Sequence, residues 1–222
     1  MLPFLMRGPA VDNGANTFSR VKRTADIRLS NADLTATSAY VSSTGVGTGV
    51  RGQKSRNSGK VYFEFSTGTA GTIAGNPIEY GVCTAAAVLG QDPTDAAYIE
   101  NFSAFMQIGC NGSNFGRPAA FCSLPTTSSI VGIAIDFGAK LFWAKSFSST
   151  GNAVGRQWNI TLNGDPAAGT GGVDISVLSS TTLYPFIGMR TSANGGAAGF
   201  IGTFNPTSTV VNAAPSGFTA GW

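Results

Sequence analysis

The residues that could do chemistry in this sequence are few. Among its 222 residues there is no histidine, and there are three cysteines and three glutamates. Without histidine the commonest general base and the commonest zinc ligand are missing, and so are Ser-His and Cys-His nucleophiles. Cys83, Cys110 and Cys122 form no C-x-x-C pair, so we expect buried free thiols. We therefore expect neither a metal ion nor a cofactor.

A pair of carboxylates would be the remaining route to catalysis. A retaining glycosidase holds two carboxyl groups about 5–5.5 Å apart. Glu64, Glu79 and Glu100 have no acidic neighbour two or three residues away, so only folding could assemble such a pair. We expect a protein that is not an enzyme. A carbohydrate-active enzyme on a sandwich fold stays open as an alternative.

The composition is that of short strands joined by polar turns. Charged residues make up 11% of the chain, less than half of the usual ~25%, and 30 residues are glycine. These values exclude a coiled coil, a long-helix bundle and a charged disordered chain. No apolar segment approaches the roughly 20 residues of a membrane span, so we expect no membrane insertion.

Strand signals recur along the chain. Lys60–Phe65 alternates apolar and polar residues, which is typical of a half-buried strand with a polar face. Ile130–Phe137 is almost continuously apolar, which favours a strand covered on both faces, and Lys140–Lys145 is its hairpin partner. Gln91–Asn101 is expected to hold a short helix. Further expected strands are Asp26–Leu29, Leu34–Thr37, Ile78–Thr84, Ala104–Cys110, and Leu183–Met189 paired with Ala198–Phe204.

Positive charge is concentrated in the first part of the chain. Residues 1–60 carry a net charge of +6, whereas residues 61–222 carry −3. Arg51, Lys54 and Arg56 lie in a segment rich in Gly and Ser, which is expected to be a loop. No aromatic residue is interleaved with them, as single-strand nucleic-acid binding would require. We expect no nucleic acid, and a basic region that docks on a partner protein.

Six motifs in order resemble those of SPRY domains. Ser58–Phe65 reads SGKVYFEF and is similar to the SGK-x-Y-[FW]-E strand that opens these domains. Asp26–Thr35 is similar to a leader found in the bacteriophage and prophage members, and so is the segment from Trp158 to Ser176. The remaining motifs are Val131–Phe137 with Lys140–Trp143, Leu183–Ile187, and Gly202–Asn205 with Pro215–Phe218.

The resemblance implies an all-β, concanavalin-like jelly-roll sandwich of two antiparallel sheets. It covers residues 17–222 as one domain and leaves residues 1–16 as an extended N-terminal arm. SPRY domains are generally binding modules that present loops, and they are generally not enzymes. The resemblance therefore implies a non-catalytic binding protein.

Two sets of residues are expected to contact partners. The arm carries an apolar cluster that either folds back on its own sandwich or docks on a neighbouring subunit. Aromatic and arginine residues in predicted loops have the composition of interface anchors, unless the rings only plug the end of the sandwich. The arm residues are Leu2, Phe4, Leu5, Met6 and Arg7, and the loop residues are Tyr98, Phe102, Phe115, Arg117, Arg156 and Trp158.

The leading hypothesis from the sequence is a bacteriophage virion structural protein of the capsid-decoration or tail-fibre type, assembled in the cytoplasm of the bacterial host. Its partners would be other virion proteins, copies of itself in a homo-oligomer, and a host surface glycan or protein in host attachment. An intracellular SPRY adaptor that binds a host protein is the second alternative, beside the enzyme.

Overall fold

The computed structural model describes residues 14–38, 47–67, 78–89, 93–102, 105–115, 122–123, 129–147, 150–151, 157–160, 163–189 and 199–222. Regular structure in these ranges consists of β-strands. No helix among them is long and apolar enough to span a bilayer. The arm residues Leu2, Phe4, Leu5, Met6 and Arg7 lie outside the described residues, so the division at residue 16 stays a prediction.

The described strands form two large antiparallel sheets. One has seven strands in the order β1-β4-β15-β6-β7-β8-β9, and the other has β14-β12-β11-β5-β16-β3-β2, with β17 added in parallel beside β5. A small sheet pairs β10 with β13. The strands are β1 (Phe18–Arg23), β2 (Ile27–Ser30), β3 (Thr35–Ser38), β4 (Thr48–Gly52), β5 (Lys60–Thr67), β6 (Ile78–Cys83), β7 (Ala96–Phe102), β8 (Phe105–Cys110), β9 (Ser113–Phe115), β10 (Cys122–Ser123), β11 (Ile130–Asp136), β12 (Leu141–Ser146), β13 (Thr150–Gly151), β14 (Val173–Asp174), β15 (Tyr184–Met189), β16 (Gly199–Asn205) and β17 (Thr219–Ala220).

The core lies between the two large sheets because alternate residues of each strand point inward. In β5 the inward residues are Val61, Phe63 and Phe65, all at most 1% exposed. They pack against inward residues of the opposite sheet, such as Tyr80, whose ring centroid lies 5.7 Å from that of Phe65. The sequence prediction of a two-sheet concanavalin-like sandwich is confirmed.

The outward face of β5 is buried as well, contrary to the predicted polar face. Tyr62 and Glu64 are at most 1% exposed. Val210, Ala214 and Phe218, which follow β16, belong to the apolar cluster that packs on this face around Tyr62. A covering segment therefore converts the outward side of the eight-stranded sheet into a second, smaller core.

Several predicted strands are found, but three predictions are wrong. Residues 93–101 form a turn and then β7, not a helix. The two late strands do not pair, because β15 joins the seven-stranded sheet and β16 the eight-stranded one. Arg51 lies in β4 rather than in a loop, whereas Lys54 and Arg56 follow that strand.

Candidate functional site

Tyr98, predicted to be a loop anchor, is part of a strand and is buried. It lies in β7, is 1% exposed and packs edge-on against Phe186 with ring centroids 6.1 Å apart. Its ring also lies over Gly109 of β8, where a Cβ atom would be only 2.3 Å from the Tyr98 Cζ. The loop placement of Tyr98 is therefore wrong, and its ring packs on the outward face of the seven-stranded sheet.

Trp158 is half-buried and also takes part in packing. Its ring meets those of Tyr62 and Phe147 edge-on, with centroids 6.3 Å away in both cases. The Lys145 ammonium lies 5.9 Å from the Trp158 ring centroid and 4.9 Å from that of Phe147. Burial lowers the pKa of Lys145. Trp158 thus helps to cover the eight-stranded sheet. This agrees with the alternative given from the sequence, in which such rings have a packing role.

The structure describes the other predicted loop residues only in part. Phe102 and Phe115 lie in β7 and β9, so their loop placement is wrong as well. Arg117 and Arg156 lie outside the described residues. A binding surface formed by the predicted set therefore stays a prediction.

A pocket that the sequence did not predict lies beside β4. It is an open cavity of about 330 Å³. One side of the cavity is lined by the end of β1 and the residue after it, Val21–Thr24. The segment after β6 contributes Ala85, Ala87 and Leu89. Arg51 of β4 completes the lining. Its size falls within the range typical of ligand pockets. We call it the basic pocket.

Arg51 is the buried cation of the basic pocket. Val50 points into the core, so the next residue, Arg51, points to the outward face, where it is only 8% exposed. Its Cζ lies 4.4 Å from the centroid of the Tyr184 ring, and its Nη1 donates a hydrogen bond of 3.1 Å to the Thr84 carbonyl. Its Nε–H has no hydrogen-bond acceptor among the residues that the structure describes. A buried donor left unpaired costs about 1–3 kcal/mol, so this site keeps unused bonding capacity.

Lys22 and Arg23 add positive charge to the basic pocket. Lys22 is exposed and Arg23 is half-buried. Arg23 uses part of its guanidinium within the chain, since Nε donates to the Arg20 carbonyl and Nη1 to that of Ile27. The ion pairs found in the described ranges involve other side chains. Three cations thus line the cavity, and no carboxylate is among the lining residues in the described ranges.

An irregularity in β1 brings these side chains to the basic pocket. The register of β1 against β4 shifts between Phe18 and Arg23. Within that stretch Ser19 Oγ accepts hydrogen bonds of 3.2 Å from the Val21 N–H and 2.7 Å from the Lys22 N–H. Such a bulge bends its strand and changes the direction of its side chains.

Asp95 fixes the segment that carries the acceptor of Arg51. Thr84 donates two hydrogen bonds to Asp95. Its N–H donates to the Asp95 carbonyl, and its hydroxyl donates to Asp95 Oδ2 at 3.0 Å. The Ser179 N–H donates to Asp95 Oδ1 at 2.6 Å. Burial alone would raise the pKa of Asp95, but the hydrogen bonds from Ser179 and Thr84 lower it below its ordinary value.

Two thiols near these elements are buried. Burial raises the pKa of Cys83 to about 12, although nearby Arg51 acts in the opposite direction. Burial raises the pKa of Cys110 to about 11. Both are free and buried, as predicted, whereas Cys122 lies in β10. Raised pKa values of this kind are typical of structural thiols, because burial disfavours the thiolate.

The fold does bring two glutamates together. The register places Glu79 of β6 directly opposite Glu100 of β7, and Cβ atoms of such pairs lie about 4.5–5.5 Å apart. Gln107 of β8 donates from Nε2 to Glu100 Oε2, and Gly188 of β15 lies opposite Glu79. Glu79 and Glu100 are 0% and 1% exposed. The pair is therefore enclosed, unlike the carboxylates of an open active-site cleft.

The third glutamate has a structural role. Glu64 accepts hydrogen bonds from the Tyr62 hydroxyl at 2.7 Å and from the Val211 N–H at 2.6 Å. Asn212 donates to Glu64 Oε1 from its backbone nitrogen at 2.9 Å and from its side-chain nitrogen at 3.0 Å. Burial and the bond to Glu64 raise the pKa of Tyr62. Glu64 thus pins the segment after β16 to the outward face of β5.

Comparison with known proteins supports the fold assignment. The sequence matches no protein-family model and no curated protein. Among solved structures, the chain is similar to the SPRY domain of human HERC1, with a TM-score of 0.52 and 14% identity over 86% of this chain and 99% of that one. It is also similar to the PSpry domain of TRIM65, with a TM-score of 0.47 and 14% identity over 78% of this chain and 87% of that one. The protein has a SPRY-like, concanavalin-type sandwich fold, as the sequence motifs predicted.

Proposed function

We propose that the protein is a non-catalytic binding module that serves as a structural protein of a bacteriophage virion, of the capsid-decoration or tail-fibre type. The observation that carries the binding role is the basic pocket. There Arg51 is 8% exposed, has a donor with no acceptor in the described part of the chain, and lines an open cavity of about 330 Å³. A buried, incompletely bonded cation next to open space is the arrangement that an external ligand completes.

Sequence resemblance supports the virion part of the proposal. The leader Asp26–Thr35 and the segment from Trp158 to Ser176 are similar to segments of phage-type SPRY domains. The basic residues 1–60 and the arm 1–16 would anchor the sandwich to the particle. Its partners would be other virion proteins, copies of itself in a symmetric oligomer, and a host surface glycan or protein.

Mass spectrometry of purified particles tests this placement. Particles made by the strain that carries this gene should contain the protein in stoichiometric amounts. Deleting residues 1–16 should leave a folded sandwich that no longer joins the particle. Normal incorporation of the truncated protein would contradict the anchoring role, and absence of the full-length protein from particles would contradict the virion proposal.

An intracellular adaptor of SPRY type is equally compatible with the fold. In that case the same pocket would engage a host protein and the protein would stay in the cell extract. Fractionation separates the two proposals, since an adaptor co-purifies with a host protein and not with particles.

One observation favours an enzyme as a second candidate, namely the opposed pair Glu79 and Glu100. Paired carboxylates on a sandwich could hydrolyse a glycan. Their burial argues against this role, because a substrate must reach both groups. Hydrolysis of a host polysaccharide by the purified protein, abolished in Glu79→Gln and Glu100→Gln, would establish the enzyme. An inactive wild-type protein with intact folding would exclude it for that polysaccharide.

A further inference from the structure

We propose that the basic pocket accepts the carboxylate of an acidic side chain from a protein partner, and that Arg51 is the residue that anchors it. This inference rests on the proposed binding function and specifies its ligand. The ligand group would be a glutamate or aspartate side chain, with its carboxylate against the guanidinium and its methylene stem against the apolar part of the lining.

Arg51 is held in place but only partly bonded by the described residues. A guanidinium offers five N–H donors in a planar fork that matches a carboxylate. Nη1 donates to the Thr84 carbonyl, while the Nε–H has no acceptor among the described residues. Because Arg51 also lines the open cavity, a carboxylate there would meet a positioned guanidinium that retains donors for it.

The charge around the pocket is positive. Lys22 and Arg23 line it together with Arg51, and the described lining residues include no acidic side chain. None of the three cations is a partner in the ion pairs of the described ranges. Three positive charges that share one cavity repel one another, and an anion in that cavity relieves the repulsion. The ligand should therefore carry negative charge.

The lining favours a protein ligand over a glycan. Val21, Ala85, Ala87 and Leu89 give the cavity an apolar part that suits the methylene stem of an acidic side chain. The lining residues that the structure describes include no aromatic ring, although acidic sugars in binding sites commonly stack on such rings. The one lining hydroxyl, that of Thr24, already accepts a hydrogen bond from the Gly49 N–H. A sugar would find few partners for its hydroxyl groups here.

The pocket is held in its shape by contacts within the chain. Leu89 packs close to β4, since a Cβ on Gly49 would lie 3.4 Å from the Leu89 Cβ. Tyr184 supports the Arg51 guanidinium from β15 at 4.4 Å. A preorganised arginine loses less side-chain freedom when it binds, which favours recognition of a small group.

The experiment titrates the full-length protein with small probes while its backbone amide and arginine Nε–H resonances are followed by NMR. The probes are N-acetyl-glutamate N-methylamide, its neutral glutamine counterpart, and glucuronate. The acidic amino-acid probe should shift the Ala87, Leu89 and Arg51 Nε–H signals saturably, with a Kd on the order of 1–10 mM. The glutamine probe should leave these signals unchanged.

Variants assign the effect to the pocket. Arg51→Gln should weaken the acidic probe at least about tenfold, because one charge-assisted bidentate contact is lost. Lys22→Gln, at an exposed position where folding is not at risk, should weaken it about threefold by loss of one nearby charge. Lys54→Gln is the matched control, since Lys54 is exposed and does not line the pocket.

Three results would overturn the inference. They are equal shifts with the glutamine probe, tighter binding of glucuronate than of the acidic amino-acid probe, and unchanged affinity in both Arg51→Gln and Lys22→Gln. None of these results concerns incorporation into particles, so the inference can fail while the proposed virion role stands. Conversely, a protein that binds the probe but is absent from particles would keep the inference and lose the virion role.

Discussion

Arg51 and Glu64 are both buried charged side chains on outward faces, one on each large sheet of the sandwich. Glu64 is 1% exposed and accepts hydrogen bonds from Tyr62, Val211 and Asn212. Arg51 is 8% exposed; within the described ranges its side chain donates one hydrogen bond, to the Thr84 carbonyl, and its Nε–H has no acceptor. The chain thus satisfies one buried charge from within and leaves the other incompletely bonded.

This difference separates a structural charge from a binding one. Removing an ion from water costs several kcal/mol, which hydrogen bonds and opposite charge must offset. Around Glu64 the hydrogen bonds that offset this cost come from a segment about 147 residues further along the chain. Because the carboxylate joins two distant parts of the chain, it stabilises the fold. Arg51 lines an open cavity, and its Nε–H has no acceptor among the described residues. Mutations at the two positions should therefore affect different properties.

Glu64→Ala should give the largest effect on stability. The substitution removes the carboxylate that accepts four hydrogen bonds. The buried Tyr62 hydroxyl and the Val211 and Asn212 N–H groups then lose their acceptor. We expect a loss of about 3–5 kcal/mol in the free energy of unfolding. Urea denaturation followed by tryptophan fluorescence measures it.

Two further variants calibrate that result. Asn212→Ala removes one of the four bonds to Glu64 and should cost about 1 kcal/mol. Lys54→Gln, at an exposed position, should stay within about 0.5 kcal/mol of wild type. A Glu64→Ala protein as stable as Lys54→Gln would show that the carboxylate does not pin the segment after β16.

Sequence alternation was enough to predict the strands that form the centre of the eight-stranded sheet. β5 and β11 carry large apolar residues at every second position or throughout, so their signals are strong. β4 reads TGVRG, and two glycines and an arginine conceal a strand that is buried along its length. β7 follows Asp92-Pro93, which imitates a helix start, but its pairing with β6 and β8 decides its structure.

The candidate site was harder to predict than the fold, for a physical reason. Rings such as Tyr98 and Trp158 were predicted as anchors from composition, yet the structure uses them to cover the outward faces of the sheets. The basic pocket needs Lys22, Arg23 and Arg51 together, from strands 25 or more residues apart in sequence. The sequence pointed towards it through the net charge of +6 in residues 1–60 and through the basic segment around Arg51, which was predicted to be a loop, and neither signal gives the position of a pocket.

Arg51→Met should change stability much less than Glu64→Ala. Methionine keeps an unbranched, mostly apolar stem on the outward face and removes a buried charge that the chain bonds incompletely. The lost bond to Thr84 and the lost stacking on Tyr184 offset this gain. We expect a change within about 1 kcal/mol in urea denaturation without ligand. A loss as large as that of Glu64→Ala would show that Arg51 is a structural charge and would remove the contrast.

The smallest effect should come from Asp95, which holds the Thr84 segment beside Arg51, and it depends on pH. Hydrogen bonds from Ser179 and Thr84 outweigh burial and put the pKa of Asp95 below its ordinary 3.8. The folded state therefore favours the carboxylate, so its contribution is fully present above about pH 4 and is lost as pH falls through the lower folded-state value. Asp95→Asn should lose less than about 1 kcal/mol at pH 7, because the site is solvent-screened. Urea midpoints at pH 7 and at successively lower pH values should converge for the two proteins below pH 3.8. A difference that stays constant into that range would mean that the shape of the side chain, and not its charge, holds this wall of the pocket.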